Sequence, residues 1–419
     1  MSRYKRNLIV LYLLNFIFIG LSYYLDHFFQ KTKVYSGFNL LLILNIIYFL
    51  WAYFSKFTVS LLHIFIIGFF YIGSEPAFEN DHYRYIWEGK VISHGLNPYA
   101  ASPSSKELDH IEYERRDEIS YNTLTSIYPP LSQLIFTSVS PFNYKIAFSI
   151  LQFLGLCMLI YILFHLFKDN EYLVFILPYL YKEFVQAVHI DILAFFVLVL
   201  CFKRFHFFKG IFLAFQIKVL SIICLPFLIL KGLFRDRKIL YQTVLIIFLI
   251  ALTLYFYPAV ISGNQSGASA YIEYWNWNSL LGMSLEKLGL DALRSRFILL
   301  GLFSLAYLYL VVLYIKNDFQ RTWVMSGIAF QFLFLFTPVL HPWYMFWPLM
   351  FMRVNKYYYY FLASSVMAYY PYGGLEFKWI GESIQFVLLC ISIRKSIKEL
   401  DQDSNGANIS IWFTPKNYT

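Results

Sequence analysis

Apolar blocks of about 15–25 residues recur from one end of this chain to the other, and few folds accept that pattern. They fall at about 8–25, 35–54, 58–74, 143–167, 172–186, 189–202, 240–259, 296–315, 322–337, 343–352, 357–371 and 379–393. A helix needs about 20 apolar residues to cross the hydrocarbon core of a bilayer, where every backbone polar group must be bonded within the protein. The blocks therefore predict an all-α, polytopic transmembrane helical bundle of about 11–13 spans. Blocks shorter than a straight span are expected as broken helices with covered ends. Composition points the same way: 59% of the 419 residues are hydrophobic and 14% charged, with mean hydropathy +0.55, whereas soluble domains are about 45–50% apolar and about 25% charged. A water-soluble fold is excluded.

Orientation follows from Lys and Arg in the short connections, which favour the cytoplasmic side. With Arg3, Lys5 and Arg6 inside, alternation also puts Lys56, Lys168, Lys203–Lys209, Lys231–Lys238, Lys316, Arg321, Arg353, Lys356 and Arg394–Lys398 inside. Both termini are then cytoplasmic, and the connections near 26–34, 75–142, 187–188, 260–295, 338–342 and 372–378 lie on the far side. Residues 210–231 are apolar but have basic clusters at both ends, which predicts a re-entrant hairpin. Residues 1–398 read as a single transmembrane domain, and 399–419 as a polar, flexible cytoplasmic tail. Met1–Arg6 and the following apolar run lack a small-residue cleavage site and read as a permanent first span.

Net charge is +9, but the basic residues are scattered between apolar blocks, so topology accounts for them and a nucleic-acid partner is not expected. Cys157, Cys201, Cys224 and Cys390 all sit in apolar stretches without His or Cys at ligand spacing, and read as buried small hydrophobes. No phosphate-binding loop or dinucleotide fingerprint occurs. The large 75–142 loop differs from the rest of the chain. It holds ten Asp and Glu against five Lys and Arg, two fifths of the chain's 25 acids.

The chemistry-bearing strings begin in that loop. Glu75-Pro76 leads to Asn80-Asp81-His82-Tyr83-Arg84-Tyr85-Ile86-Trp87-Glu88-Gly89, then to Gly95-Leu96-Asn97-Pro98-Tyr99, and Tyr128-Pro129-Pro130 closes it. Farther along come His189-Ile190-Asp191, Lys218 before a Leu-Pro run, Trp275-Asn276-Trp277-Asn278, and His341-Pro342-Trp343-Tyr344. The charge-based topology assigns Asp81, His189, Asp191, Asn276, Asn278, His341, Trp343 and Tyr344 to one membrane face, as a shared site requires. Each string also has a plainer reading. Asp81 suits a helix cap, the Tyr and Trp residues an interfacial belt, His189 with Asp191 a local pair, and Lys218 a side chain reaching for the surface.

Taken in order, the strings resemble GT-C-type glycosyltransferases, integral-membrane enzymes that take a sugar from a polyprenyl-phosphate carrier. The likeness is nearest to the bacterial polyprenol-phosphate-mannose-dependent mannosyltransferase group, whose pattern is approximately E-P-x-x-S-D-D-x-Y-R-Y-x-W-D-G followed by G-x-N-P-Y. Asn80 and Glu88 depart from it. The resemblance covers about two thirds of the chain. It implies a polyprenyl-phosphate sugar donor, a hexose that is mannose in most of the group, and a glycan or lipid-linked acceptor. It also implies a multi-pass location in the inner (plasma) membrane, with the site on the periplasmic or extracellular side.

Attack of an acceptor hydroxyl on a sugar C1 needs one carboxylate base, and a phosphate leaving group needs no acid but does need cationic neighbours. Asp81 is the expected base of an inverting displacement. Arg84, Tyr83, His189, Asp191, Lys218, His341, Trp343 and Tyr344 are the expected donor contacts. Glu75, Trp87, Asn97, Tyr99, Tyr128, Asn276 and Asn278 are expected to hold the acceptor or shape the loop. A divalent cation is left open, because acids are plentiful but spacing alone does not identify ligands. A transporter or flippase of lipid-linked sugars is the competing reading; it predicts charges along a mid-membrane path and repeat symmetry, and neither is evident. A membrane glycan polymerase or ligase would not predict an acid with Tyr-Arg-Tyr in the first large outer loop.

Overall fold

The structure is a computed structural model and describes residues 2–32, 36–76, 78–167, 171–204, 206–256, 267–319, 321–372 and 378–402. Its helices are α1 (Arg3–Thr32), α2 (Ser36–Ser55), α3 (Leu61–Phe69), α4 (Asp81–Ser93), α5 (Pro130–Val139), α6 (Tyr144–Leu166), α7 (Leu173–Leu180), α8 (Asp191–Lys203) and α9 (Phe207–Phe215). There follow α10 (Leu225–Phe234), α11 (Arg237–Phe256), α12 (Gly267–Tyr274), α13 (Leu280–Lys287), α14 (Ala292–Lys316), α15 (Thr322–Phe336), α16 (Lys356–Ala363) and α17 (Lys378–Gln402). No strand occurs among the described residues. The expected all-α bundle is what forms.

Among the described residues, five helices are long and apolar enough to cross a membrane, within Arg3–Tyr24, Phe38–Ser55, Tyr144–Leu166, Arg237–Tyr255 and Ala292–Lys316. Leu173–Gln186 with Asp191–Lys203 makes a sixth if that pair, bent by 104°, is taken as one span. The other apolar blocks are built from shorter helices and 3-10 turns, which is why blocks outnumber long helices. Side chains such as Ile9, Leu13, Ile43, Leu300 and Leu305 stand exposed on these helices. Apolar faces of that extent suit lipid as the surrounding phase.

Local chemistry explains several boundaries. Asn143 and Asp291 accept from Ile146 N at 3.0 Å and Arg294 N at 2.7 Å, capping α6 and α14. Pro130 opens α5, where a missing N–H costs nothing. Pro178 lies inside α7, and the chain then widens into a π-helical turn over Tyr181–Gln186 before the sharp bend. Residues 210–231 break at Gln216–Lys218, between α9 and a 3-10 turn at Val219–Cys224. Of the cysteines, only Cys224 is buried. Cys157 is exposed, and Cys201 and Cys390 are half-buried, so the expectation of burial is corrected for these three. In an apolar surround a thiol gains little by hiding from the outer face of a helix.

The 75–142 segment folds on itself. Tyr83, Ile86, Trp87, Leu108, Ile111 and Ile119 form a core of their own that continues onto Tyr144 and Phe148 of α6. α4 and α5 pack so closely that a Cβ on Gly89 would lie 2.1 Å from the Phe136 carbonyl oxygen. The expected tail from 399 begins as the last turn of α17, and residues 403–419 lie outside the described residues.

Gly89→Val is expected to force α4 off α5 and lower stability by about 1–3 kcal/mol, the usual cost of overpacking. Thermal unfolding of the purified protein in detergent, followed by intrinsic fluorescence, measures it, with the exposed Gly301→Ala as the control for a glycine that touches nothing.

Candidate active site

Three breaks in regular structure meet at one place. α4 begins at Asp81, and the first turn of a helix suits an anion. Arg84 and Glu88 follow at spacings of three and seven, on the same face of α4. The N-terminus of α5 docks on the Gln216–Lys218 break, with Leu131 N to Gln216 O at 3.0 Å and Ser132 Oγ to Ile217 O at 3.1 Å. The Trp275–Asn278 segment pairs with the one before His341, through Trp277 N to Pro338 O at 3.0 Å and Leu340 N to Trp277 O at 2.8 Å. These contacts enclose a cavity of about 190 Å³.

The cavity wall is charged on one side and aromatic on the other. Glu79, Asp81, Arg84 and Lys218 line it together with Tyr121, Tyr128, Tyr271, Trp275, Trp277, His341, Trp343, Tyr344 and Tyr369. Trp343 is the centre of a stack. His189 lies 3.6 Å from it, ring centre to ring centre, and His341 lies 4.3 Å from it on nearly parallel planes, 5° apart. Lys218 Nζ sits 3.3 Å from Asp191 Oδ2 and 5.0 Å from the centre of the Tyr344 ring. Trp347 Nε1 donates to the other Asp191 oxygen at 2.8 Å.

Electrostatics separate the two acids in the cavity. Burial pushes the Asp81 carboxyl above the usual aspartate range, while Lys218, Arg84 and His82, with a hydrogen bond from Tyr128, hold it down. Glu79 is pushed up to about 8, by burial first; Glu183 and Asp81 add to the rise, and Lys182 and Tyr369 oppose it. His341 is held down at about 3 by burial and by Lys218, so its ring is neutral at physiological pH.

Of the residues expected from the sequence, Asp81, Arg84, Tyr128, Lys218, His341, Trp343 and Tyr344 come together on the cavity wall. His189 and Asp191 stand directly behind them, against Trp343 and Lys218. The rest do not reach it. Tyr83 is buried against Tyr144 and Arg115, and Trp87 lies under Arg116 in the inner core of the loop. Glu75 accepts from the Tyr144 hydroxyl at 2.7 and 2.8 Å and faces His82 at 3.3 Å behind α4. Although burial alone would raise it, these partners and Arg115 keep its carboxyl below the usual glutamate range. Asn97 closes an exposed turn onto Tyr99 N, and the Tyr99 hydroxyl holds the Tyr128 carbonyl at 2.5 Å. Asn276 donates to Glu286, and Asn278 to the Leu340 carbonyl. These seven positions shape the walls from outside.

Arg84 needs separate mention. Its guanidinium donates to the carbonyls of Tyr121, Leu124 and Thr125 at 2.8–3.3 Å and lies 3.6 Å from Glu88. It ties the 121–125 segment to α4 first, and faces the cavity second. Glu79, Tyr121, Tyr271 and Tyr369 line the cavity without having been singled out in the sequence. Lys182 and Glu183 form a charged pair behind them, and two adjacent ionisable residues inside an apolar block are the signal that could have found them.

Residues 71–232 match the family model described as alpha-(1->6)-mannopyranosyltransferase, N-terminal domain. The matched stretch includes Asp81, Arg84, Tyr128, Glu183, His189, Asp191 and Lys218, and ends before His341, Trp343 and Tyr344. No curated protein and no solved structure matches the chain. Over the matched residues, the family match agrees with the resemblance to mannosyltransferases of the GT-C type. The apolar helices make the chain a membrane protein.

Arg84→Lys is expected to loosen the 121–125 segment, because an ammonium cannot span three carbonyls as a planar fork does. A loss of about 1–3 kcal/mol is the scale for hydrogen bonds to a charged group. Limited trypsin digestion of the purified protein should then cut faster after Arg115 or Arg116, and an unchanged cutting rate would contradict the tie.

Proposed function

We propose, from the match of residues 71–232 to a mannosyltransferase family model, that this protein transfers mannose from a polyprenyl-phosphate carrier to a hydroxyl of a glycan or lipid-linked acceptor. The observation that carries the reading is the cavity itself. It holds Asp81 at a helix N-terminus, Lys218 and Arg84 as fixed cations, and a wall of aromatic rings. One ionisable acid flanked by cations suits a displacement whose leaving group is a phosphate. The rings suit the apolar face of a pyranose.

In the proposed step the acceptor oxygen attacks C1 of the sugar and Asp81 takes the hydroxyl proton. The bond from C1 to the phosphate oxygen breaks, and polyprenyl phosphate leaves with its electron pair. One displacement inverts C1. Lys218 and the positive end of α4 balance the charge on the leaving phosphate. His341, neutral, serves as a hydrogen-bonding partner rather than as a countercharge. Residues 1–398 act as a single catalytic domain, with 399–419 as an appended tail. The cavity opens on the non-cytoplasmic face of the inner (plasma) membrane, and both termini face the cytoplasm.

The test is a membrane assay with radiolabelled polyprenyl-phosphate mannose. Asp81→Asn should lower transfer by about 10²–10⁴-fold, the usual worth of a general base; full transfer by the variant would remove the base assignment, and no transfer by the wild type would remove the donor. The acid limb of the pH profile carries a second expectation. A base works only when deprotonated, and Asp81 lies above the ordinary aspartate range. Activity should therefore fall at a pH above about 3.9, the unperturbed aspartate value. Lys218→Met removes a charge that lowers the Asp81 pKa, so it should move the limb to higher pH.

A further inference from the structure

Beside Asp81 the cavity wall recedes into a second cluster that the transfer step does not use. Glu79 comes from the segment before α4, Glu183 from the π-helical turn, and His189 from the bend before α8. One donor atom of each lies within 4.8 Å of the other two. His189 Nε2 is 3.4 Å from Glu183 Oε2 and 3.9 Å from Glu79 Oε2. His189 is 1% exposed, and its Nε2 makes no hydrogen bond although both carboxylates lie within 4 Å. A buried ring nitrogen left unpartnered beside two acids has a place for something between them.

We propose that Glu79, Glu183 and His189 hold a divalent transition-metal ion in the inner wall of the cavity, with its remaining coordination positions facing the cavity through Glu79. One imidazole and two carboxylates form a mixed nitrogen–oxygen set that suits zinc or manganese, whereas calcium takes oxygen alone. Bonds of about 2.0–2.2 Å around one ion put neighbouring donors about 3.0–3.5 Å apart. The distances of 3.4 and 3.9 Å reach that range with a small rotation of Glu79.

The surroundings already orient the donors, as metal sites require of their outer partners. The Tyr369 hydroxyl meets the Glu183 carboxylate at 3.0 and 3.1 Å, and Lys182 Nζ meets its Oε1 at 3.3 Å. The Trp343 ring, 3.6 Å away, sets the plane of His189. The His189 N–H donates to the Glu183 carbonyl at 3.0 Å, and Val188 takes a left-handed φ of 53° to bring it there. Lys182 is a single positive charge beside two carboxylates. Two carboxylates against one ammonium leave a negative balance that a dication would offset. An ion here would take up charge from a phosphate in the cavity. That use rests on the transfer reading, whereas the binding does not.

The experiment uses the full chain in detergent, stripped with EDTA and titrated with ZnCl₂ or MnCl₂ without donor or acceptor. The wild type should bind one equivalent saturably by calorimetry and melt at a higher temperature with the metal. Glu183→Gln and His189→Gln should each weaken binding at least tenfold, while His341→Gln, outside the cluster, keeps it. Bound manganese should show nitrogen coupling in pulsed electron paramagnetic resonance that His189→Gln abolishes. Glu79→Gln provides a third variant, on the cavity side, should either of the first two fail to fold. Absence of saturable binding by the wild type, or undiminished binding by the folded variants, would overturn the site. Binding without mannosyl transfer would leave the site standing and remove only the transfer reading.

Discussion

A carboxylate with no exposed surface inside an apolar bundle needs a cation within reach, and Asp191 has one in Lys218 at 3.3 Å. Removing either partner of such a pair typically costs several kcal/mol, of order 3–5, because the other is left charged and uncovered. The pair also settles the local fold. Lys218 comes from the break between α9 and α10, which the N-terminus of α5 clasps through Gln216 and Ile217. Asp191 opens α8 immediately after the sharp bend. Three irregular segments that would otherwise leave backbone groups bare in lipid are held where those groups find partners. The same ammonium then reaches Tyr344 and holds down the Asp81 carboxyl. Stability and site share one charge.

What could be read in advance follows from period and composition. Apolar blocks became helices because the bilayer allows little else, and polar residues from the segments between them meet where regular structure breaks. Asp81, His341, Trp343 and Tyr344 were visible because the charge pattern assigned them to one face, and Lys218 through the resemblance. Tyr83 and Trp87 were placed with them because Asp81–Trp87 was read as a string, whereas it folds as a helix. On α4 the positions 81, 84 and 88 share a face, and 83 and 87 turn away toward the core of the loop. A 3.6-residue reading of the string would have divided the two sets.

Glu79 and Glu183 illustrate a different limit. Neither belongs to a spaced ligand motif, and the Lys182–Glu183 pair in an apolar block marks Glu183 as unusual without saying what it meets. Their meeting depends on the widened turn after Pro178 and on the left-handed Val188, which bring His189 back to the Glu183 carbonyl. Such geometry is a property of packing, since a β-branched residue avoids positive φ unless its surroundings impose it. No spacing rule carries that information.

The two acids in the cavity are unequal, and their inequality decides which can serve as a base. Glu79 and Asp81 are two residues apart, and the charge of Asp81 raises the pKa of Glu79. Asp81 has Lys218 and Arg84 to set against burial, besides the N-terminus of its own helix. Glu79 has Lys182, which already donates to Glu183, and it rises to about 8. The cations that oppose burial are gathered on Asp81. Neighbouring carboxyls whose surroundings differ in this way divide the work between them. Asp81 faces the cations a phosphate would need, and Glu79 faces a histidine and a second glutamate.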